Sequence, residues 1–367
     1  MINIGKILKR AWHNLWNYRV LWIFGVLMAC TGGGRAGGSN GGSSGSGYQS
    51  NGNNYQSITS STNPFVQQLN QWFQQNIMPL LQHPEQHIAT FVWIGVGLLF
   101  FFLIVCGICA LVRYPSETAV IRMVDEYEQT GTKVRFKQGW KMGWNRRAFR
   151  IWVIDLVVSL PVILLVAILA VLGLLIYSSV KNGSQAAIAT GVIAGIGCAF
   201  LFILAFIILA ILLNLLRQFF VRAAALENAR IGESFRLGWA MFKRNWKSAA
   251  LMWLVMVGIG LGVGIAGLII FFLLIPVYLV LVLPAVIVGA IPGLIAFGIT
   301  SIFASGPLAW ILGLLAALPF FFMIVFAPLC LVSGWYIIYE SNVWTLTYRE
   351  MKALESVAPV EIKAPVQ

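Results

Sequence analysis

Asp155 is the residue whose type and surroundings most directly suggest chemistry. It interrupts an otherwise uncharged apolar run from Arg150 to Tyr177. A carboxylate in such a segment is costly unless it has a partner or marks a polar pathway. Pairing with a nearby arginine such as Arg150, or capping of a neighbouring helix, is the favoured interpretation, and a proton or ion relay is the alternative. No second acid accompanies it within a predicted span, which argues against a pump.

Pairs of imidazoles and thiols also occur, at spacings that favour structural roles. His83 and His87 lie one helical turn apart, without the pattern of a zinc protease. Cys106 and Cys109 have the spacing of a redox motif, but they lie in an apolar run without a βαβ context. We therefore expect no metal and no cofactor. No catalytic triad or phosphate-binding glycine loop is recognisable.

Cys30 is a candidate for covalent lipid attachment. A basic start and a short apolar run precede Leu27-Met28-Ala29-Cys30, in which a small residue stands before the cysteine. This order is typical of a lipoprotein signal that is cleaved and acylated at the cysteine. Met28 is an unusual residue in that pattern, so an unmodified Cys30 is the favoured interpretation.

The composition indicates the kind of element that must position these residues. Of the 367 residues, 59% are apolar and 10% are charged, against about 25% charged in an ordinary soluble domain. Mean hydropathy is +0.84. These values exclude a soluble enzyme and a disulfide-stapled secreted domain. The formal charge of +13 would suggest nucleic acid in a polar chain, but here the positive-inside rule explains it, and we expect no nucleic-acid partner.

The apolar runs predict an all-α protein, a polytopic transmembrane helix bundle of about six spans. Most lysines and arginines fall into three blocks, at residues 6–19, 113–150 and 217–247. Each block is separated from the next by an even number of predicted crossings. This pattern predicts a cytoplasmic N-terminus in the inner membrane of a prokaryote, with the intervening loops outside.

The last third of the chain offers fewer signals, because no Asp, Glu, Lys, Arg or His lies between Lys247 and Glu340. Pro276, Pro284 and Pro292 recur every eight residues. We predict a span at about 249–275, a Pro-rich broken or re-entrant element at about 276–305, and a final span at about 308–339. A C-terminal tail, 341–367, would then be cytoplasmic; seven full crossings with the tail outside are the alternative.

The predicted organisation has five parts. Residues 1–30 hold an interfacial helix and a first span, and residues 31–64 form a Gly/Ser/Asn-rich outer loop, which should be a flexible linker. Residues 65–87 predict an uncharged amphipathic helix on the outer surface, with a lid over a cavity as the alternative. Residues 88–340 form the transmembrane bundle, and the tail follows.

A motif occurs three times where the chain is predicted to enter the membrane from the cytoplasm. An aromatic residue or Leu is followed by a base, any residue, a small residue and Trp; an aromatic, an Asn and a second base then precede the apolar run. Such segments are typical of interfacial helices, whose Trp rings lie at headgroup depth beside bases that face anionic lipid. The candidate headgroup residues are Lys9, Trp12, Arg19, Lys137, Trp140, Arg147, Arg236, Trp239 and Lys247.

Two stretches resemble a known family. They are residues 222–235, RAAALENARIGESF, with Gly238-Trp239 and Arg244-Asn245-Trp246 after them, and the ending VWTLTYRE at 343–350. The resemblance is to the membrane domain attached to bacterial glycerophosphoryl diester phosphodiesterases, and to related polytopic proteins without an enzyme domain. It implies an all-helical membrane bundle. The phosphodiesterase activity belongs to a separate soluble barrel that this sequence does not contain.

The sequence therefore predicts a non-catalytic membrane protein that binds or organises lipids or partner proteins, including other copies of itself. A small transporter or channel is one alternative, with a cavity lined by Asp155, Asn214 or the segment 276–307. A lipid-handling enzyme is another, and it would need clustered acids or histidines at one membrane face. Six acids are available for it in the two basic segments: Glu117, Asp125, Glu126, Glu128, Glu227 and Glu233.

Overall fold

The computed structural model describes residues 2–32, 71, 88–182, 185–303 and 307–361. Within them the chain forms eleven helices and no strand. The helices are Ile4–Asn17 (α1), Val20–Cys30 (α2), Ile88–Thr130 (α3), Phe136–Gly143 (α4), Arg146–Asn182 (α5), Gln185–Leu226 (α6), Ile231–Arg244 (α7), Trp246–Leu273 (α8), Ile275–Phe303 (α9), Pro307–Val325 (α10) and Ala327–Glu361 (α11). Nearly all of the predicted outer loop and outer amphipathic helix lies outside the described residues.

The described helices confirm an all-α polytopic membrane bundle. Five stretches are long and apolar enough to cross a membrane, and they lie in α3, α5, α6, α8 and α9. A sixth crossing is available if α10 and α11, which are bent by 62° relative to each other, form one span. Helix α2 is apolar but shorter, with 11 residues.

Two of the helices continue well beyond the ends that the sequence predicts. Helix α3 passes through Arg113 and Pro115 to Thr130 without interruption, although Arg113 was the expected end of a span. Helix α11 runs on to Glu361. Residues 341–348, which the sequence analysis assigns to a tail, are all buried within this helix. They are buried because this part of α11 packs against α1, α6 and α8.

The Pro-rich break is not where the sequence predicts it. Residues 275–303 form one helix with Pro284 and Pro292 inside it, because helix-breaking residues are tolerated where neighbouring helices pack around them. The interruptions lie instead at Leu274 and Phe326. Each stands two residues before a proline, at 276 and 328, and each is still bridged by i to i−4 backbone hydrogen bonds of 2.9 Å. These are proline kinks.

The chain divides into two compact units. The unit formed by residues 37–109 and 264–332 contains α9 and α10, which pack along each other. Small residues allow this close packing: a Cβ atom on Gly293 would lie 3.0 Å from Ala317 Cβ, and one on Gly313 would lie 2.9 Å from the Gly293 carbonyl oxygen. Small residues four apart on both helices are the usual means by which membrane helices approach each other.

The other unit, residues 1–36, 110–263 and 333–367, has a core of three apolar clusters. Each cluster joins two of the three helices α3, α6 and α11 with one further apolar helix. The first cluster holds α3, α11 and α2; the second holds α3, α6 and α5; the third holds α6, α11 and α8. The helices α3, α6 and α11 therefore form the shared centre of an approximately threefold arrangement.

Candidate functional site

The three copies of the Trp-and-base motif form α1, α4 and α7, which we call the interfacial helices. In each of them the small residue of the motif, Ala11, Gly139 or Gly238, is buried. A Cβ atom on Gly139 would lie 2.4 Å from Met123 Sδ, and one on Gly238 would lie 2.5 Å from the Phe220 ring. The motif needs a small residue because α4 lies directly on α3, and α7 lies directly on α6.

The Trp that follows the small residue faces away from this contact. Trp12 is 55% exposed and Trp239 is 50% exposed, whereas Trp140 is half-buried and stacks near Phe24 at 6.3 Å. The first base of each motif is exposed as well; these are Lys9, Lys137 and Arg236. Exposed tryptophan beside exposed Lys or Arg is the composition of a membrane–water interface.

The second base of each motif takes different positions. Arg19 and Lys247 are exposed, and Lys247 Nζ lies 5.9 Å from the centroid of the Trp246 ring. Arg147 is half-buried and donates to the Ala225 carbonyl oxygen at 2.7 Å. Arg147 therefore satisfies a free carbonyl at the C-terminal end of α6, a contact that the motif alone does not reveal.

Asp155 lies in a buried ion pair. Its Oδ1 accepts from Arg217 Nε at 2.7 Å, and its Oδ2 accepts from the Tyr114 hydroxyl at 2.7 Å. Arg113 is 4.0 Å away. Asp155 thus pairs with arginine, as the sequence predicts, but Arg150 has another role: it donates to the Asn228 carbonyl oxygen at 2.7 Å.

A second buried acid accompanies Asp155, so the expectation of a lone intramembrane carboxylate is wrong. Glu117 on α3 is 6% exposed and lies 3.2 Å from Arg217 Nη2. Arg217, on α6, therefore bridges carboxylates from two other helices. Hydropathy predicts the end of a span at Arg113 and places Glu117 in a loop, whereas α3 continues and carries Glu117 into the bundle.

The network continues to α11. Arg222 Nη1 contacts the Gln218 side chain and donates to the Gln218 carbonyl oxygen at 3.2 Å. Gln218 Nε2 in turn donates to Glu340 Oε1 at 3.5 Å. We call these side chains the buried network; with every group ionised its six charges cancel. The charged members are Arg113, Glu117, Asp155, Arg217, Arg222 and Glu340.

Most residues of the buried network cannot be recognised from hydropathy. Glu340 and Arg217 were read as the charged limits of apolar runs, and Asn214, which was predicted to line a cavity, is half-buried one turn before Arg217. A charged residue at the limit of a run can lie inside the protein when its helix continues. One signal in the sequence could have indicated this. Beyond the apolar run that ends before Arg217, polar residues recur at helical spacing, at Arg217, Gln218 and Arg222.

Three of the six acids considered for an enzyme join the ends of different helices, at separate places. Glu128 accepts from Asn14 Nδ2 at 2.8 Å and pairs with Arg10, Asp125 pairs with Arg349, and Glu227 accepts from Tyr348 at 2.5 Å. Glu233 instead caps α7, because it accepts from the Arg230 backbone N–H at 3.2 Å. Within the described ranges, no three His, Cys, Asp or Glu side chains are grouped to hold a metal ion.

The remaining predicted sites are Cys30 and the two histidines. Cys30 is the exposed last residue of α2 and, like Cys106 and Cys109, is a free thiol. Leu21, Phe24 and Met28, which precede Cys30 on the same helix, are buried in the cluster with α3 and α11. His83 and His87 lie outside the described residues.

Comparison with known proteins assigns the chain to a family. No curated protein and no solved structure matches it. The sequence profile of DUF7544, a family of unknown function, matches residues 20–341, which include the buried network and both later interfacial helices. This match covers most of the sequence, and the protein is therefore a member of the DUF7544 family.

Proposed function

We propose that this protein is a non-catalytic integral membrane protein that binds anionic lipid headgroups along its interfacial helices. In this way it would organise lipids or partner proteins in the membrane. The observation that carries the proposal is the repeated geometry of α1, α4 and α7. Each is held against the bundle, and α1 and α7 present an exposed tryptophan beside an exposed base, while on α4 the tryptophan is half-buried.

The charges of the interfacial helices support lipid rather than protein-internal contacts. Lys137 and Arg236 make no ion pair with any described residue, whereas Arg244 and Lys352 pair with Glu355 and Glu227. A base near an anionic membrane surface contributes about 1 kcal/mol of attraction. Bases without a partner acid are therefore available to phosphate headgroups.

We also propose on which side of the membrane the interfacial helices lie. The three basic blocks of the sequence favour a cytoplasmic position for the interfacial helices and an external position for the Gly/Ser-rich loop. The resemblance to membrane domains of phosphodiesterases is in keeping with a prokaryotic inner membrane and with the lack of a catalytic role. The transporter alternative relied on a broken segment at 276–307, whereas residues 275–303 form one helix, α9, that packs closely against α10.

The test compares two double variants that remove equal charge. Lys137→Gln with Arg236→Gln removes the unpaired bases of two interfacial helices. The matched control, Arg244→Gln with Lys352→Gln, removes bases that are already paired with acids. Each protein is placed in nanodiscs of equal phosphatidylglycerol and phosphatidylcholine, and the lipids that remain bound are counted by native mass spectrometry.

We expect the wild type and the control pair to retain phosphatidylglycerol preferentially. The Lys137/Arg236 variant should lose that preference by up to about thirtyfold, which corresponds to about 1 kcal/mol for each base. Equal retention by both double variants, or no preference in the wild type, would overturn the proposal.

A further inference from the structure

A cleft lies between α1 and the C-terminal end of α3. Its volume is about 470 Å³, and it is lined by Lys9, Arg10, His13, Asn14, Tyr127, Glu128 and Gly131. That volume is within the range of small-molecule sites, about 300–1,000 Å³. The φ of +70° at Gly131 ends α3, and its N–H donates to the Tyr127 carbonyl oxygen at 2.9 Å. This turn closes one side of the cleft with backbone.

The charge that the cleft offers to a ligand is positive. Its one acid, Glu128, has a side chain that is only 8% exposed, because Arg10 and Asn14 cover the carboxylate. The Arg10 side chain remains 44% exposed, and Lys9 is exposed beside it. The carboxylate is therefore withdrawn from the cleft, while two cations border it.

The remaining lining groups can donate hydrogen bonds. The amide nitrogen of Asn17 lies 2.5 Å from His13 Nε2. Because an amide nitrogen can only donate, His13 Nε2 accepts, and the ring proton of the neutral imidazole is on Nδ1. The Tyr127 hydroxyl adds a further donor. Two cations with two neutral donors match the oxygen-rich, anionic surface of a phosphate group.

The cleft also lies at the level of the membrane surface. Trp16 is two turns from Lys9 on the same face of α1 and is 43% exposed. Trp12, one turn earlier, is exposed too, and its ring lies 5.7 Å from that of Trp16. An aromatic pair of this kind anchors a helix at headgroup depth, where phosphate esters are concentrated.

We propose that the cleft between α1 and α3 binds the phosphate monoester group of a lipid headgroup or a soluble phosphate ester, with Lys9, Arg10 and His13 as its ligands. The inference rests on the proposed function, of which it names one defined headgroup position. It concerns α1, whereas the test of the general proposal concerns α4 and α7, so the two can fail separately.

The experiment measures dissociation constants by isothermal titration calorimetry on the full chain in a neutral detergent. The probes are dihexanoyl phosphatidic acid, glycerol 3-phosphate, which is the same headgroup without acyl chains, and dihexanoyl phosphatidylcholine. The test variants are Lys9→Gln and His13→Gln. Lys6→Gln is the matched control, because Lys6 is exposed on the same helix and does not line the cleft.

We expect Lys9→Gln and His13→Gln to weaken phosphatidic acid binding by about tenfold or more, because each variant loses a hydrogen bond to a charged group, with Lys6→Gln unchanged. Glycerol 3-phosphate that binds with the same pattern identifies a soluble source, and binding of phosphatidic acid alone identifies a lipid. Phosphatidylcholine binding as tight as phosphatidic acid binding, no binding to the wild type, or equal affinities in all three variants would overturn the proposal.

Discussion

Arg217 is the residue on which the buried network depends most. It contacts Asp155 on α5 and Glu117 on α3, and its own side chain is 6% exposed. Removing one partner of a buried ion pair is far more costly than the net value of the pair, because the charge left behind has neither water nor a counter-ion. If Arg217 were replaced, Glu117 would lose the arginine that it pairs with, and Asp155 would keep only the more distant Arg113 and the Tyr114 hydroxyl.

We therefore expect Arg217→Met to lower the free energy of unfolding by about 3–5 kcal/mol. Thermal or denaturant unfolding of the purified protein in detergent measures this loss. Arg236→Met removes the same charge from an exposed position and should change stability by about 0.5 kcal/mol or less. Similar losses in the two variants would contradict the importance of the buried network.

Tyr18 joins α1 and α2 to the segment before α4. It is 1% exposed, and its hydroxyl donates to the Val134 carbonyl oxygen at 2.8 Å and accepts from the Val134 N–H at 2.7 Å. Burial raises the pKa of Tyr18 to about 12. The folded state therefore favours the neutral phenol, so this part of the stability is complete below pH 10 and is lost between pH 10 and 12.

Tyr18→Phe should lower stability by about 1–3 kcal/mol, because two backbone groups of Val134 lose their partner. The variant should also lose less of its stability than the wild type between pH 10 and 12. Unfolding measured at pH 8, 10 and 12 checks both statements. A parallel decline in the two proteins over that range would show that Tyr18 does not contribute to it.

Among single residues, the sequence predicts one charge inside the bundle, Asp155, and does not predict the charges that surround it. Asp155 is recognisable because apolar residues flank it on both sides. Glu117 and Glu340 stand next to other polar residues, so hydropathy alone cannot distinguish them from the solvated ends of helices. Only the packing of α3 on α6 and α11 decides that Glu117 is buried and Glu340 is half-buried.

Among the elements, the interfacial helices are the ones that the sequence predicts best. Their motif implies amphipathic helices, and the structure adds the reason for the small residue. Gly238 is in contact with α6, whereas a Cβ atom on Gly232, at the start of the same helix, would meet nothing within 4 Å. The two glycines therefore form a matched pair for mutation.

Gly238→Ala should destabilise the protein by about 1–3 kcal/mol through overpacking against Phe220. Gly232→Ala should be neutral or stabilising by up to about 1 kcal/mol, because alanine is the better helix former. Thermal unfolding of the two variants, side by side, measures the difference. If both substitutions stabilise the protein, α7 does not lie as closely on α6 as described.

Helix α9 also contains one glycine in close contact with a neighbouring helix and one glycine with open space around it. Gly293 is in close contact with Ala317 and Gly313, while Gly298, on the same helix, has open space around its Cβ position. We expect Gly293→Leu to separate α9 from α10 and Gly298→Leu to be tolerated. Disulfide trapping between cysteines placed at Gly289 and Ala317 should fall only in the first variant; loss in both would contradict the contact.

The prolines show why an element's breaks are harder to predict than its existence. Pro276 and Pro328 stand just after kinks, whereas Pro284 and Pro292 lie inside a continuous helix. All four occur in similar apolar surroundings. Each proline removes one backbone hydrogen bond. Whether the helix axis then bends depends on how neighbouring helices pack around it, and this packing cannot be predicted from a single sequence.

For the whole molecule, the contact between α1 and α11 fixes the relation of the two ends. Trp12 packs edge-on against Tyr339 with ring centroids 6.1 Å apart, and Arg10 lies 3.9 Å from Glu350. We therefore expect helix α1 and the second half of α11 to lie on the same side of the membrane. The basic blocks in the sequence favour the same arrangement, but no motif in the sequence pairs these two helices.

Single cysteines at Lys6 and Lys352, in a background without native cysteines, test this relation. Both should react with a membrane-impermeant maleimide only when the cytoplasmic side is accessible, as in inverted vesicles. A cysteine at Ser44, in the predicted outer loop, should react only in intact cells. Labelling of the Lys6 and Lys352 positions from opposite sides would contradict the α1–α11 contact.

The position of α1 against α11 also sets an order of events during biosynthesis. Helix α1 leaves the ribosome before α11, and the nine other described helices are made between the two. Until then Trp12 and Ile7 have no α11 surface to cover them. Helix α1 must therefore remain without its α11 partner until α11 has been synthesised, and a chain that stopped before α11 would leave this surface of α1 uncovered.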